Sequence, residues 1–500
     1  NVRVVAEHVG GAFGAKQGMQ QETVTAARLS RAAGGVPVRV ANDRLEEMSY
    51  GGYRPGTRVE VDFVADRGGT FRALRMDAIG SGGVAVNSTI AVLARLVYTG
   101  APKLLSDRDV VTNLPPGKPF RGPFGPPFFF AMESSVDDMA HRLDADPIVL
   151  RQRWDKNPLR AELYRWAADL DVWKTRGAVG ADTGRFRRGV GMAIGGWMTL
   201  FYAGTTVEVT VSADGIVATT TTQDIGNGSR SVIAEAVAEV LGIPREAVRV
   251  DIGVSSPLRG PISSGSRTTN AVYVAATHAA EKARNALVRS ARRLGLRKAR
   301  GVAGGVAHAE GLMPWVAVAA RAGTVSARGK RGANGAFDLL GRIPSGKLAL
   351  SLARPTTSVV YICEVVVDTR LGRIEARRFW GGLAVGRIVA PLLARRQIEG
   401  AVVQGLGYAL YEERSVDPRS GTVMNLGLEE FRIPGIGDMP EVELHFHPGG
   451  FERLAGHAAG LSELATIPIP AAIGNAVFHA TGRRYRQLPL RPARVLEGLR

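Results

Sequence analysis

Sixty-two of the 500 residues are glycine. Helix interiors cannot absorb that number, because each glycine there costs roughly 1 kcal/mol relative to alanine. Much of the backbone must therefore lie in turns, bulges or loops that press closely on something, as a chain folded around a large ligand would. With 45 % hydrophobic and 22 % charged residues, the rest is ordinary globular composition. The length is enough for two or more domains with separate cores.

The patterning is mixed. Residues 2–5 read as a strand running into the turn Gly10-Gly11-Ala12-Phe13-Gly14-Ala15-Lys16, and a helix starts near Gln20. Alternation over 57–64 and 71–79, about Asp66-Arg67-Gly68-Gly69, predicts a hairpin. Residues 129–143 have helical spacing, and Asp146-Pro147 opens a helix ending near Trp154. The stretch 157–188 is charged and irregular, and it separates a first domain, 1–165, from a second, 186–500. Beyond it, strands at 205–211 and 217–222 lead to a loop at 223–229 and a helix through Val232 and Leu241, with another strand at 245–254. Residues 303–350 are poorly patterned, and 323–335 have the small, basic composition of an exposed loop. A second hairpin is expected at 359–367 and 373–379, a helix at 397–410 and a late strand at 440–446. No regular βα alternation runs through the chain, so the fold class is α+β, without a Rossmann sheet or a barrel.

The 64 Lys and Arg residues against 46 Asp and Glu leave a formal charge of +18, suited to nucleic acid, an acidic partner or an anionic cofactor. The basic residues are scattered, with clusters at 284–300 and 483–500 and no aromatic-interleaved stripe of the kind that stacks bases, so nucleic acid is not an expected partner. A single cysteine, Cys363, excludes an internal disulfide and an iron–sulfur cluster held by this chain. It follows the apolar run 359–362 and reads as a small core residue. No uninterrupted apolar stretch has the length of a membrane span, and no signal peptide is visible. The chain opens in a strand already under way and reads as a piece lacking its amino-terminal part; the compartment stays open between cytoplasm, the default, and periplasm.

Six segments carry the functional signal. They are Gly10 to Lys16; Phe120-Arg121-Gly122 with Met132-Glu133; Gln223-Asp224-Ile225-Gly226-Asn227-Gly228; Ser264-Gly265-Ser266-Arg267; Gln397-Ile398-Glu399-Gly400 with Gln404-Gly405-Leu406-Gly407-Tyr408; and Gly460-Leu461-Ser462-Glu463. Each alone is a turn of a large α+β protein. In this order and spacing they resemble the GGGFGGK, FRGFGGPQ…E, GQG, GGSR, QIEGxxxQGLGxAL and GxGE segments of the molybdenum hydroxylases, the family of xanthine dehydrogenase and aldehyde oxidoreductase. The resemblance runs from Asn1 to about Leu496.

The resemblance implies two mixed α/β molybdenum-cofactor-binding domains of the large subunit and a molybdenum-bearing molybdopterin in its cytosine dinucleotide form. It also implies iron–sulfur and FAD centres on partner subunits only, with a dimer of heteromers among the assemblies allowed. Such a pterin is large, anionic and untethered, so backbone amides and neutral donors must cage it. In the family's terms the amides of Phe13, Gly14 and Ala15 face the metal's apical oxygen, Arg121 lies near metal and cofactor, and Gly265 packs beside the metal. Gln397 binds the pterin, while Gly226, Asn227, Gly228, Ser266 and Arg267 line its tail; no side chain here ligates the metal. Glu463 is the implied catalytic base, removing a proton from a metal-bound hydroxide that attacks an electron-poor carbon. Its flanks, 458–462 and 464–468, bring almost no charge. His457 is left as an exposed loop histidine, and Glu412-Glu413 and Glu429-Glu430 as solvated or ion-paired charge.

The chain departs from the family pattern at Asn227 for Gln, Ser462 for Gly and Leu464 for Pro. Pro123 stands where xanthine-oxidising members carry a substrate-stacking Phe, and Gln17 where they carry a purine-binding Glu. The expected substrate is therefore an aldehyde or an N-heteroaromatic compound. The competing expectation is an inactive homologue serving as a partner-binding scaffold.

Overall fold

The computed structural model describes residues 2–84, 89–200, 202–332 and 356–500. The chain opens loosely. Instead of a strand over 2–5, Val5 makes one isolated bridge to Val254, and Val2, Val4 and Val5 stay exposed. Helices α1 (Gln21–Ala32) and α2 (Arg44–Tyr50) follow without a buried residue.

The first hairpin forms as expected. Strands β1 (Gly56–Ala65) and β2 (Phe71–Gly83) pair antiparallel, and the Asp66 carboxylate closes their turn by accepting from the Thr70 N–H at 2.8 Å. Strand β3 (Lys103–Val111) lies parallel to β2. Helix α3 (Gly125–Arg142) precedes α4 (Pro147–Trp154), whose first N–H groups are capped by Asp146 while Pro147 occupies a position that needs no donor.

Residues 157–188 are not irregular throughout. Asn157 caps the N–H groups of Leu159 and Arg160, Pro158 opens α5 (Pro158–Asp169), and a short α6 (Asp171–Lys174) follows. The misleading charge is partly internal: Arg160 is fully buried against Asp155.

Strand β4 (Phe186–Met198) leads into a second unit built from β5 (Thr206–Ser212), β6 (Gly215–Thr219), α7 (Ser229–Leu241), β7 (Val248–Asp251) and α8 (Thr268–Arg293). The strand expected at 245–254 thus shrinks to four residues behind a 3-10 turn. The stretch after 303 is better ordered than its patterning suggests. Strands β8 (Arg300–Val302), β9 (Gly305–His308) and β10 (Gly311–Pro314) form a small sheet, and α9 (Trp315–Ala322) packs beside it. Within the expected loop 323–335, β11 (Val325–Lys330) is a strand at the edge of the sheet β11-β5-β6-β7. Edge strands tolerate its small and basic residues; positions 333–350 lie outside the described residues.

Strands β12 (Thr356–Asp368) and β13 (Arg373–Ala384) form the second expected hairpin. Helix α10 (Pro391–Leu406) starts earlier than expected, on Pro391, and passes into a π-helical turn at Gly407–Tyr411. Strand β14 (Glu441–His447) joins β13 in parallel, giving the sheet β14-β13-β12-β4. Helices α11 (Ser462–Thr466), α12 (Ile469–Thr481) and α13 (Pro492–Leu499) end the chain. The stretch Ser462–Thr481 meets the length and hydropathy of a membrane span, but 94 % of it is buried inside the protein. Gly191 explains how α12 lies so close to β4: a Cβ there would overlap the Ala476 backbone.

Two apolar cores result. One gathers α3 to α5, β4, β12, β13, α10 and α12, Cys363 included; the other gathers β5 to β7 with α7, α8 and α9. The first core therefore draws on residues before 198 and after 356. Its polar anchor is Glu133, fully buried, which accepts from Arg151 Nε at 2.8 Å, Tyr98 OH at 2.6 Å and the Ile194 N–H at 3.0 Å.

Candidate cofactor cavity and active site

A cavity of about 600 Å³ takes walls from both cores, Trp197 and Ala459 from one and Val232 and Val389 from the other. The amino-terminal turns of α7, α8, α10 and α11 contribute Val232, Thr268, Leu393 and Ser462 to its lining. Helix starts carry N–H groups without intrahelical partners and the positive end of the helix dipole, so the walls favour an anion.

Hydrogen bonds tie the six glycine-rich or polar segments together. The Arg121 N–H donates to the Phe13 carbonyl at 2.7 Å. Arg121, fully enclosed, donates through Nε to the Ser462 carbonyl at 2.8 Å and through Nη2 to the Gln397 carbonyl at 2.7 Å, with Nη1 reaching Gln404 Oε1 at 3.3 Å. The Gln397 amide donates to the Gly226 carbonyl at 2.8 Å and accepts from the Ser462 hydroxyl at 3.1 Å. The Glu463 N–H donates to Ser266 Oγ at 3.1 Å. Close approach does the rest: a Cβ on Gly14 would overlap the Pro119 carbonyl, and one on Gly460 the Ser266 carbonyl.

Of the residues singled out from sequence, Phe13, Gly14, Arg121, Asn227 and Gly265 line the cavity. So do Ser266, Arg267, Gln397 and Glu463. Ala15, Gly226 and Gly228 do not. Gly226 offers its carbonyl to Gln397, Gly228 starts α7 against Leu393, and Ala15 closes a turn onto the Ala12 carbonyl at 3.0 Å. The Asn227 carbonyl oxygen is taken up within its own loop, accepting from the Ile225 N–H at 3.1 Å and Ser229 Oγ at 3.3 Å. That is where its shorter side chain goes. Asp224 holds the same loop by accepting from the N–H groups of Gly226, Gly228 and Arg230.

Sequence reasoning missed several wall residues. Thr89 precedes the 3-10 segment Ala91–Leu96, Val92 and Leu93 lie in it, and Arg387 to Ala390 come from the lead into α10. Pro391 signals a helix start there, but nothing in the local pattern marks the segment as a wall.

Glu463 is 8 % exposed, and its Oε2 has no hydrogen-bond partner. Burial pushes its carboxyl above the ordinary Glu range; its own N–H, Arg121, the Gly265 N–H and Arg267 oppose the rise. Burial lowers the Arg121 guanidinium to about 10, with the Glu463 charge pulling upward. Of the pair expected to be solvated or ion-paired, Glu413 pairs with Arg491 at 2.6 Å, whereas burial raises Glu412 to about 7.

These residues fit a molybdopterin. Helix N-termini, amides and hydroxyls surround a space large enough for a polar anionic ring system, and the orphaned Glu463 oxygen lies at its wall. Models of the molybdopterin cofactor-binding domain match residues 1–154 and 165–440. The chain is 30 % identical over 525 residues to the aldehyde oxidoreductase molybdenum-binding subunit PaoC of Escherichia coli K12, covering all of this chain and 68 % of PaoC. It is 29 % identical over 546 residues to the putative xanthine dehydrogenase molybdenum-binding subunit XdhA of the same strain, covering 99 % of this chain and 69 % of XdhA. The fold superposes on quinoline 2-oxidoreductase from Pseudomonas putida 86 with a TM-score of 0.82 at 20 % identity, over 99 % of this chain and 68 % of that one. The chain belongs to the molybdenum hydroxylase large-subunit family and is a molybdopterin-dependent oxidoreductase.

Proposed function

We propose that this chain hydroxylates an aldehyde or an electron-poor carbon of an N-heteroaromatic ring, with water as the oxygen source. One C–H bond is replaced by C–O, and two electrons and two protons leave, the electrons to iron–sulfur and flavin centres on partner subunits. The molybdenum cofactor, in its cytosine dinucleotide form, supplies the oxygen-transferring and electron-accepting chemistry when bound. The observation that carries this reading is Glu463, enclosed at the cavity wall with one carboxylate oxygen unpaired.

Glu463 holds the proton released as the C–O bond forms, and burial raises its proton affinity toward that task. The Gln397 amide holds the pterin, the Phe13 and Gly14 amides face the metal side, and Asn227 and Arg267 flank the tail. Phe124, Val92, Leu93 and Leu200 make the wall apolar and exclude water around the reacting carbon. Gln17 and Pro123 both line the cavity, which supports the reading that the positions expected to recognise a purine carry neither a carboxylate nor an aromatic ring. A less polar aldehyde or azaheterocycle suits these walls better than a purine, whose polar edge would lack a carboxylate partner at position 17. The test is turnover of the assembled complex with an artificial electron acceptor, over aldehydes, azaheterocycles and purines. Oxidation of the first two classes ahead of xanthine supports the reading, and preferential xanthine oxidation overturns it.

A further inference from the structure

We propose that Ser266 is a positioning residue for Glu463, holding the carboxylate in place from a neighbouring loop. The inference rests on the reading of Glu463 as proton acceptor. Helix α11 has only five residues, too short to fix its own first turn by propagation. The Glu463 N–H, at its start, has no intrahelical acceptor and is satisfied instead by Ser266 Oγ at 3.1 Å.

The loop that delivers this hydroxyl is conformationally costly. Gly265 and Ser266 have successive positive φ values of 67° and 56°. A non-glycine residue there costs on the order of 1–3 kcal/mol and persists only where surrounding structure holds it. The reversal brings three groups to bear on 460–463. The Ser266 hydroxyl binds the Glu463 N–H, the Gly265 N–H helps hold the carboxyl down against the rise that burial causes, and the Ser266 carbonyl packs on Gly460 so closely that a Cβ would not fit. A glycine at 266 would relieve the strain but provide no acceptor. The serine is explained by what its hydroxyl does for Glu463.

The test compares Ser266→Ala and Ser266→Gly in the assembled complex and in cofactor-free protein. The expected result for both is a kcat lower by about 10²-fold, the order that a 1 Å misplacement costs, with KM and molybdenum content unchanged. The acid limb of the kcat–pH profile should move up, because a displaced carboxylate loses the Gly265 N–H. In the cofactor-free protein, amide exchange over 460–467 should accelerate in both variants. Wild-type turnover and exchange in Ser266→Gly would overturn the proposal, as would loss of molybdenum with unchanged exchange, which would make Ser266 a cofactor ligand. If Ser266→Ala fails to fold, the glycine variant, compatible with the left-handed backbone, still decides. Full turnover in Glu463→Gln would sink the proton-acceptor reading instead, and the exchange rates would then decide the Ser266 contact independently.

Discussion

Glu133 and Glu463 are both enclosed by protein, and their surroundings could hardly differ more. Glu133 has both carboxylate oxygens satisfied by a guanidinium, a phenol and a backbone N–H, in the middle of a core. Glu463 sits at a cavity wall with one oxygen orphaned and its proton affinity raised by burial. Leaving a buried polar atom unpaired costs roughly 1–3 kcal/mol, and at a cavity wall a bound reactant can satisfy it. Glu133 is an anchor; Glu463 is a tool.

The largest effect should come from blunting the tool. Glu463→Gln keeps shape and polarity but cannot accept a proton, so kcat should fall by about 10²–10⁴-fold with molybdenum content unchanged. Turnover within a few fold of wild type would erase the contrast. The matching change at the anchor, Glu133→Gln, leaves Arg151 buried and poorly paired. It should destabilise the chain by about 3–5 kcal/mol, read from the urea midpoint, with normal turnover per folded molecule. A stable Glu133→Gln protein with lost turnover would reverse the assignment.

Next in size is the cage. Gly14→Val places a branched side chain against the Pro119 carbonyl at a residue with φ of 107°. The variant should fold yet purify with little molybdenum; full loading would count against the cavity as the cofactor site. The smallest effect concerns stability. Because the folded state raises the Glu463 pKa, the stabilising contribution of its protonated form is complete below the unfolded-state pKa and is lost as pH rises through the folded one. Glu463→Gln escapes that loss. Its melting temperature should exceed wild type near neutral pH, with the gap closing toward acid; a gap independent of pH would show that burial does not raise this carboxyl.

The site was easier to read in the sequence than the scaffold. Its loops are marked by residue types that stand out before their partners are known: Gly14 and Gly460 where two backbones touch, Asp224 where a turn needs an acceptor, and Gln397 where loops are joined. Asp146-Pro147 was legible for the same reason, since a cap and its proline are neighbours in sequence. What escaped depends on packing that residue types do not announce. Helix α5 looks irregular until Asp155 is seen to neutralise Arg160 inside the core, and β11 looks like a loop until β5 is seen beside it. Helix α8, the longest, hides its apolar stripe in alanines followed by an arginine-rich end. Leu393 and Val389 are unremarkable aliphatic residues until the fold turns them toward the cavity.

The account depends on the converging loops enclosing the pterin with the metal beside Glu463. Density for the cofactor-loaded complex tests that most directly. It should fill the cavity between Gly14, Gln397 and Arg267, with the metal next to the Glu463 carboxylate. Density for the pterin elsewhere on the chain, or a Glu463 side chain turned out to solvent, would contradict it.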